Sequence, residues 1–193
     1  RVIPLGENPK KVFNFGGLGI DNINKLNLLS RSDFEKANSF ELGEKNLLVT
    51  FHPVTLEKST SKKHFQILLD SISQLSNTNI IFTKANSDAD GRIINSMIDD
   101  YISKNKNCTA YKSMGQLNYL SALQFMDAVI GNSSSGLLEA PSFKIGTIDI
   151  GDRQKGRIKA DSIISCNSNE ESINNALIKL YSKEFQDILD KTI

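Results

Sequence analysis

Histidine and cysteine are scarce in this chain, two of each in 193 residues. Cys108 and Cys166 lack C-x-x-C spacing and have no histidine nearby, so neither can begin an ordinary zinc ligand set. That argues against a bound metal, and the low cysteine usage fits a cytoplasmic protein. A membrane helix needs roughly 18 consecutive apolar residues, and no run approaches that length. The basic start, apolar middle and small-residue cleavage site of a secretory signal are missing too. So is an excess of either charge: 23 Lys and Arg stand against 22 Asp and Glu, a formal charge of +1. Nucleic acid and anionic membranes select a strongly basic field, so neither is an expected partner. No internal repeat or low-complexity tract appears.

What is present has ordinary globular composition, 39% hydrophobic and 23% charged, at a length typical of one domain. The chain opens on Arg1 rather than Met, and residues 1–11 read as a linker remnant from a preceding domain, with 12–193 as one folded unit. Within that unit, short apolar runs alternate with amphipathic stretches, the pattern of βαβ units around a mostly parallel sheet. Strands are expected at Val12–Phe15, Asn46–Phe51, Asn79–Thr83, Cys108–Tyr111, Asp127–Gly131, Gly146–Ile150 and Ile163–Cys166. Helices are expected at Lys62–Leu75, Ile93–Ile102, Leu117–Phe125, Ser172–Tyr181 and Lys183–Leu189, where apolar residues recur at helical spacing. The fold class is α/β, a Rossmann-like parallel sheet with helices on both faces. Ligands of such sheets sit at the carboxyl ends of the strands, so the polar residues after each strand are where chemistry should lie.

The strongest local signal is Asp127-Ala-Val-Ile-Gly-Asn-Ser-Ser-Ser-Gly-Leu-Leu-Glu139, a buried strand running through small hydroxyl residues into a helix. Unpaired N–H groups at a helix start favour an anion, with up to about 2 kcal/mol from the dipole. Ser133, Ser134 and Ser135 could add hydroxyls, or one of them could simply cap the helix. Glu139 fits a capping box only if Gly136 is the cap; otherwise it can accept hydrogen bonds from a ribose diol. Pro141 should leave the helix short or kinked. In Val49-Thr-Phe-His-Pro-Val-Thr55, His52 closes a strand and the following proline stops it from continuing. His52 either satisfies nearby backbone or acts on a diphosphate as a cation, acid or base. Asp88 or Asp90 could cap the helix that follows Asn86, and the spaced ligands of a calcium loop are absent. Arg153, Lys155 and Arg157 sit after the Gly146–Ile150 strand, where an arginine could pair with phosphate or simply face solvent.

Together, His52-Pro53, Asn86 with Asp88, Gly131-Asn-Ser-Ser-Ser-Gly136 with Glu139-Ala-Pro141, and Gly151-Asp-Arg-Gln-Lys-Gly-Arg157 resemble the hydrolysing UDP-N-acetylglucosamine 2-epimerases in order and spacing. The non-hydrolysing branch carries an Asp-Ser-Gly-Gly type sequence at the serine run. The resemblance covers nearly the whole chain. It implies the carboxyl-terminal half of a two-domain GT-B architecture, with the active site between two Rossmann-like halves and the other half outside this sequence. It further implies elimination of UDP to give a 2-acetamidoglucal, then addition of water with inversion at C2 to give N-acetylmannosamine, in sialic-acid-type sugar synthesis. By position in the motifs, Ser133 and Ser134 would hold the diphosphate, Glu139 the ribose and the Met114 main chain the uracil. Arg153, Asn86 and Arg92 would line the nucleotide site, and His52 would act on the diphosphate and in catalysis.

UDP and the UDP-sugar are thus the expected ligands, with no metal and no other cofactor, and the full-length protein is expected to be a homo-oligomer. The carboxylates for proton transfer at C2 would belong to the other half, so this chain alone is expected to be inactive. A GT-B glycosyltransferase domain and a non-catalytic nucleotide-sugar binding module are the alternatives.

Overall fold

A computed structural model describes residues 3–13, 20, 23, 25–53, 60–86 and 89–192. Six strands form one fully parallel sheet: β1 Lys45–Thr50, β2 Thr78–Thr83, β3 Cys108–Tyr111, β4 Ala128–Gly131, β5 Gly146–Ile150 and β6 Ile163–Cys166. Their order across the sheet is β3-β2-β1-β4-β5-β6. The chain therefore works outward from β1 in one direction, then returns beside β1 with β4 and works outward in the other. The carboxyl ends of β1 and β4 diverge at this reversal, and a ligand crevice belongs there.

The strands are apolar on both sides because helices cover both faces. Leu47 and Val49 of β1, Ile80 and Phe82 of β2 and Ile148 of β5 meet α2 Ser61–Ser73, α3 Ala89–Lys104, α6 Glu170–Leu180 and α7 Lys183–Lys191 through Phe65, Leu68, Ile94, Ile98, Ile173, Leu180 and Phe185. The intervening residues Leu48, Ile81 and Val129 point the other way, onto Phe34 of α1 Arg31–Asn38 and Leu120 and Leu123 of α4 Gly115–Leu123. This is the period-2 alternation of a strand buried twice.

Helix α1 was not among the expected elements. It buries only Phe34 and is otherwise polar, so its apolar periodicity is too weak to register. Its start is nonetheless well made, with the Ser30 hydroxyl oxygen accepting from the Asp33 N–H at 3.2 Å. The strand expected at Val12–Phe15 does not form at Val12 and Phe13, and its remaining residues lie outside those described. Val12 instead closes a 3-10 turn, its N–H donating to the Pro9 carbonyl at 3.3 Å, and Phe13 is exposed. Among the described residues, no helix is long and apolar enough to cross a membrane.

Candidate functional site

An open crevice of about 390 Å³ lies over the reversal between β1 and β4. Thr50 of β1 and His52 just beyond it, Thr83 from β2, Ser113 and Met114 after β3, Tyr119 on α4, and Ser133 and Ser135 after β4 line it. Three candidates from the sequence, His52, Met114 and Ser133, thus share one wall-to-wall space although they lie as many as 81 positions apart. Their convergence follows from strand order, because each sits directly beyond the carboxyl end of its strand.

The floor is tightly drawn together. Gly131 ends β4 at φ +137°, and a β-carbon placed there would lie 1.9 Å from the Thr50 carbonyl oxygen. Only glycine lets β4 approach β1 this closely. Asn132 follows and is 1% exposed. Its N–H donates to the Thr50 carbonyl at 3.2 Å, its Oδ1 accepts from the His52 N–H at 2.7 Å, and its Nδ2 donates to the His52 carbonyl at 2.7 Å. From β5's exit loop, Arg153 Nη1 and Gln154 Nε2 both donate to the Asn132 carbonyl, at 3.0 and 2.7 Å. Arg153 is therefore fixed one residue from Ser133 although it is an exposed residue.

The serine run opens α5 Ser135–Leu138, a single turn. Pro141 then diverts the chain into a 3-10 turn at Ala140–Phe143, the early interruption the proline predicts. One turn has little macrodipole, so the anion attraction expected from the dipole at this helix start is correspondingly small. Ser134 occupies the cap position without a side-chain cap bond, while the Ser133 hydroxyl accepts weakly from the Ser135 N–H at 3.4 Å, so the run is only lightly engaged in capping. The capping box conditional on Gly136 does not form, since Glu139 stands at the far end of the turn. Glu139 is half-buried and its Oε2 is sealed from solvent with no hydrogen-bond donor on it. A buried carboxylate oxygen in that condition is costly, but it is closed to a ligand as it is to water, and Glu139 is not among the residues that line the crevice.

Tyr119 was not among the residues singled out in the sequence; its hydroxyl is hydrogen-bonded to the Ser135 hydroxyl at the crevice wall. Burial pushes its phenol up to about 12, the Ser135 bond pulls the other way and the Glu139 charge adds to the rise. The phenol is thus protonated throughout the physiological range. Met114 is buried, and its carbonyl accepts from Asn118 Nδ2 at 3.1 Å, which fixes the peptide at the start of α4.

Asn86 and Arg92 are not brought into the crevice. Both are exposed beyond β2, where Asn95 holds the loop by accepting from the Ala85 N–H at 2.8 Å and donating to its carbonyl at 3.0 Å. Asp88 lies outside the described residues, while Asp90 sits in the first turn of α3. A larger cleft of about 460 Å³ runs beside β6 and α6, lined by Lys155, Lys159, Lys179 and Cys166. It opens at the sheet edge, away from the strand reversal. There Lys159 Nζ lies 2.8 Å from the buried Asp149 carboxylate and donates to the Ser165 hydroxyl at 2.6 Å. Burial, followed by the Asp149 charge, pushes the Cys166 thiol up to about 11, well away from a reactive thiolate.

A family model described as UDP-N-acetylglucosamine 2-epimerase matches residues 1–192. The chain is 41% identical over 187 residues to a GDP/UDP-N,N'-diacetylbacillosamine 2-epimerase (hydrolyzing) of Campylobacter jejuni, covering 96% of this chain and 48% of that protein. It is 39% identical over 170 residues to the polysialic acid biosynthesis protein P7 of Escherichia coli, covering 85% and 42%. The fold matches the S. aureus MnaA–UDP co-structure with a TM-score of 0.73 at 12% identity, over 99% of this chain and 50% of that one. The chain thus spans about half the length of the curated relatives it matches, the share that one Rossmann-like half of a GT-B pair occupies.

Proposed function

This chain belongs to the UDP-N-acetylglucosamine 2-epimerase family, and from that premise we propose that it is the nucleotide-binding half of a hydrolysing 2-epimerase. The observation that supports this best is the convergence of His52, Met114 and Ser133 on one crevice at the strand reversal, with Arg153 anchored beside Ser133. In the proposed complex, the Ser133 and Ser134 hydroxyls and Arg153 hold the diphosphate, the Met114 peptide reads the uracil and Glu139 accepts from the ribose. Asn86 and Arg92 reach the nucleotide only from the rim. His52 faces the bond between the diphosphate and the sugar.

The proposed reaction removes the C2 proton, breaks the bond from C1 to the UDP oxygen and leaves a 2-acetamidoglucal. Water then adds across the double bond with inversion at C2, giving UDP and the free 2-epimeric sugar. Departing UDP gains negative charge, so donors that tighten on it lower the barrier more than they stabilise the substrate. UDP-N-acetylglucosamine going to N-acetylmannosamine, in a sialic-acid-type pathway, is the primary assignment. The relationship to the C. jejuni protein favours a second reading, in which the substrate carries a further acetamido group at C4.

Glu139→Ala tests the nucleotide assignment. It should weaken UDP by about 1–3 kcal/mol, the usual range for lost hydrogen bonds to a charged group, and leave UDP-independent stability nearly unchanged. Calorimetry with UDP on the folded variant makes the measurement. Unaltered affinity would remove Glu139 from the ribose site.

A further inference from the structure

The sequence presents Asn132 as a small polar residue between a glycine and three serines. The structure gives it five hydrogen bonds into two other strand exits. Its side-chain amide lies against both polar groups of His52, accepting from the N–H and donating to the carbonyl, each at 2.7 Å. Its own N–H holds the end of β1, and its own carbonyl receives Arg153 and Gln154 from the loop after β5. The exits of β1, β4 and β5 therefore meet on one buried residue. Resting on the nucleotide-site reading above, we infer that Asn132 is a positioning residue that sets His52, Ser133 and Arg153 as one anion clamp.

The chemistry at this position is narrow. The His52 peptide presents one donor and one acceptor side by side, so its partner must carry an acceptor and a donor at the same spacing. An amide does. A carboxylate of the same shape offers two acceptors and sets one against the His52 carbonyl. A protonated carboxylic acid restores the match, because its O–H donates where the amide N–H did. Gln154 supports the arrangement from behind: it is 2% exposed and its Nε2 has the Asn132 carbonyl as partner. Nothing here requires Asn132 to touch the ligand.

Asn132→Asp in this chain is the test, read in two ways. NMR of the two histidines shows whether the change reaches His52: its ring resonances should move while those of His64, on α2, stay in place as an internal check on the fold. Calorimetry should show UDP weakened about 10- to 100-fold at about pH 8, the effect of leaving buried polar groups mismatched. Uridine, which lacks the phosphates, should be little affected. Lowering the pH to about 5.5 should return UDP affinity toward that of the unaltered chain as the buried carboxyl takes up its proton. If Asn132→Asp does not fold, Gln154→Met, which removes one donor from the Asn132 carbonyl, should produce smaller changes of the same kind.

Unmoved His52 resonances, or equal losses of UDP and uridine, would overturn the inference. Failure of the unaltered chain to bind UDP would overturn the nucleotide reading instead. The His52 resonances would then still decide whether Asn132 positions that residue.

Discussion

Gly131→Ala is expected to destabilise this chain by about 2–6 kcal/mol, a large share of the roughly 5–15 kcal/mol that holds a domain together. Two separate costs add. The backbone at φ +137° is disfavoured for any residue with a β-carbon, by about 1–3 kcal/mol. The new methyl would also meet the Thr50 carbonyl oxygen at 1.9 Å and the Thr50 carbonyl carbon at 2.7 Å, and these are backbone atoms of the neighbouring strand that no rotamer change can move aside. Relief requires β4 to draw away from β1, at an overpacking cost of about 1–3 kcal/mol.

Gly115→Ala supplies the comparison. Gly115 has φ +68°, but its β-carbon would find nothing within 4 Å, so only the conformational cost applies, about 1 kcal/mol. Urea unfolding of both variants separates the two costs. Equal midpoints would show that the close approach of β1 and β4 is not a source of stability. The variant that folds least well should also bind UDP least well, because the contact being opened is the floor of the crevice.

What could be read from the sequence divides by distance along the chain. The bounds of β3, β5 and β6 coincide with the expected runs because each is a short apolar stretch closed by polar turn residues, a local property. The brevity of α5 follows from Pro141, also local. The strand ends carrying His52, Met114 and Ser133 were legible for a further reason: in a parallel sheet with crossovers, all carboxyl ends must share one edge. The cross-links were not. Asn132 and His52 are 80 positions apart, and nothing in either neighbourhood states that an amide on one will lie against the peptide of the other. Tyr119 was hidden in a different way, since an aromatic residue at helical spacing reads as core, and it does pack, half-buried, against the core. Its hydroxyl reaches Ser135 only once α4 and the serine loop are placed together. Arg153 illustrates the reverse case: the sequence suggested it, but its exposure would argue against a role were it not anchored to the Asn132 carbonyl.

The purified 193-residue chain is expected to bind UDP yet release none from UDP-N-acetylglucosamine at an enzymatic rate. Binding requires the groups gathered in the crevice, and these are supplied by strands with their own core on both faces of the sheet. Catalysis requires in addition a base placed at C2 of the sugar. Among the described residues, no Asp or Glu lines the crevice. Glu139 is assigned to the proposed ribose contact, and the buried Asp149 is paired with Lys159. A His52 that already carries its proton to neutralise the departing diphosphate is not in the state that takes the C2 proton, so the proposed role leaves that proton to another base. General acid–base groups are typically worth about 10²–10⁴ in rate, and an open half-site also forgoes the orientation and exclusion of water that closure supplies. Joining the chain to the unmatched half of the C. jejuni relative should restore release of UDP together with free sugar. In that fusion, His52→Ala should lower turnover at least about 10-fold while the fold survives. Transfer of the sugar to an acceptor alcohol instead of water would identify a glycosyltransferase. Sustained hydrolysis by the 193-residue chain alone would place the C2 base within these residues, and the division of labour argued from the crevice would be wrong.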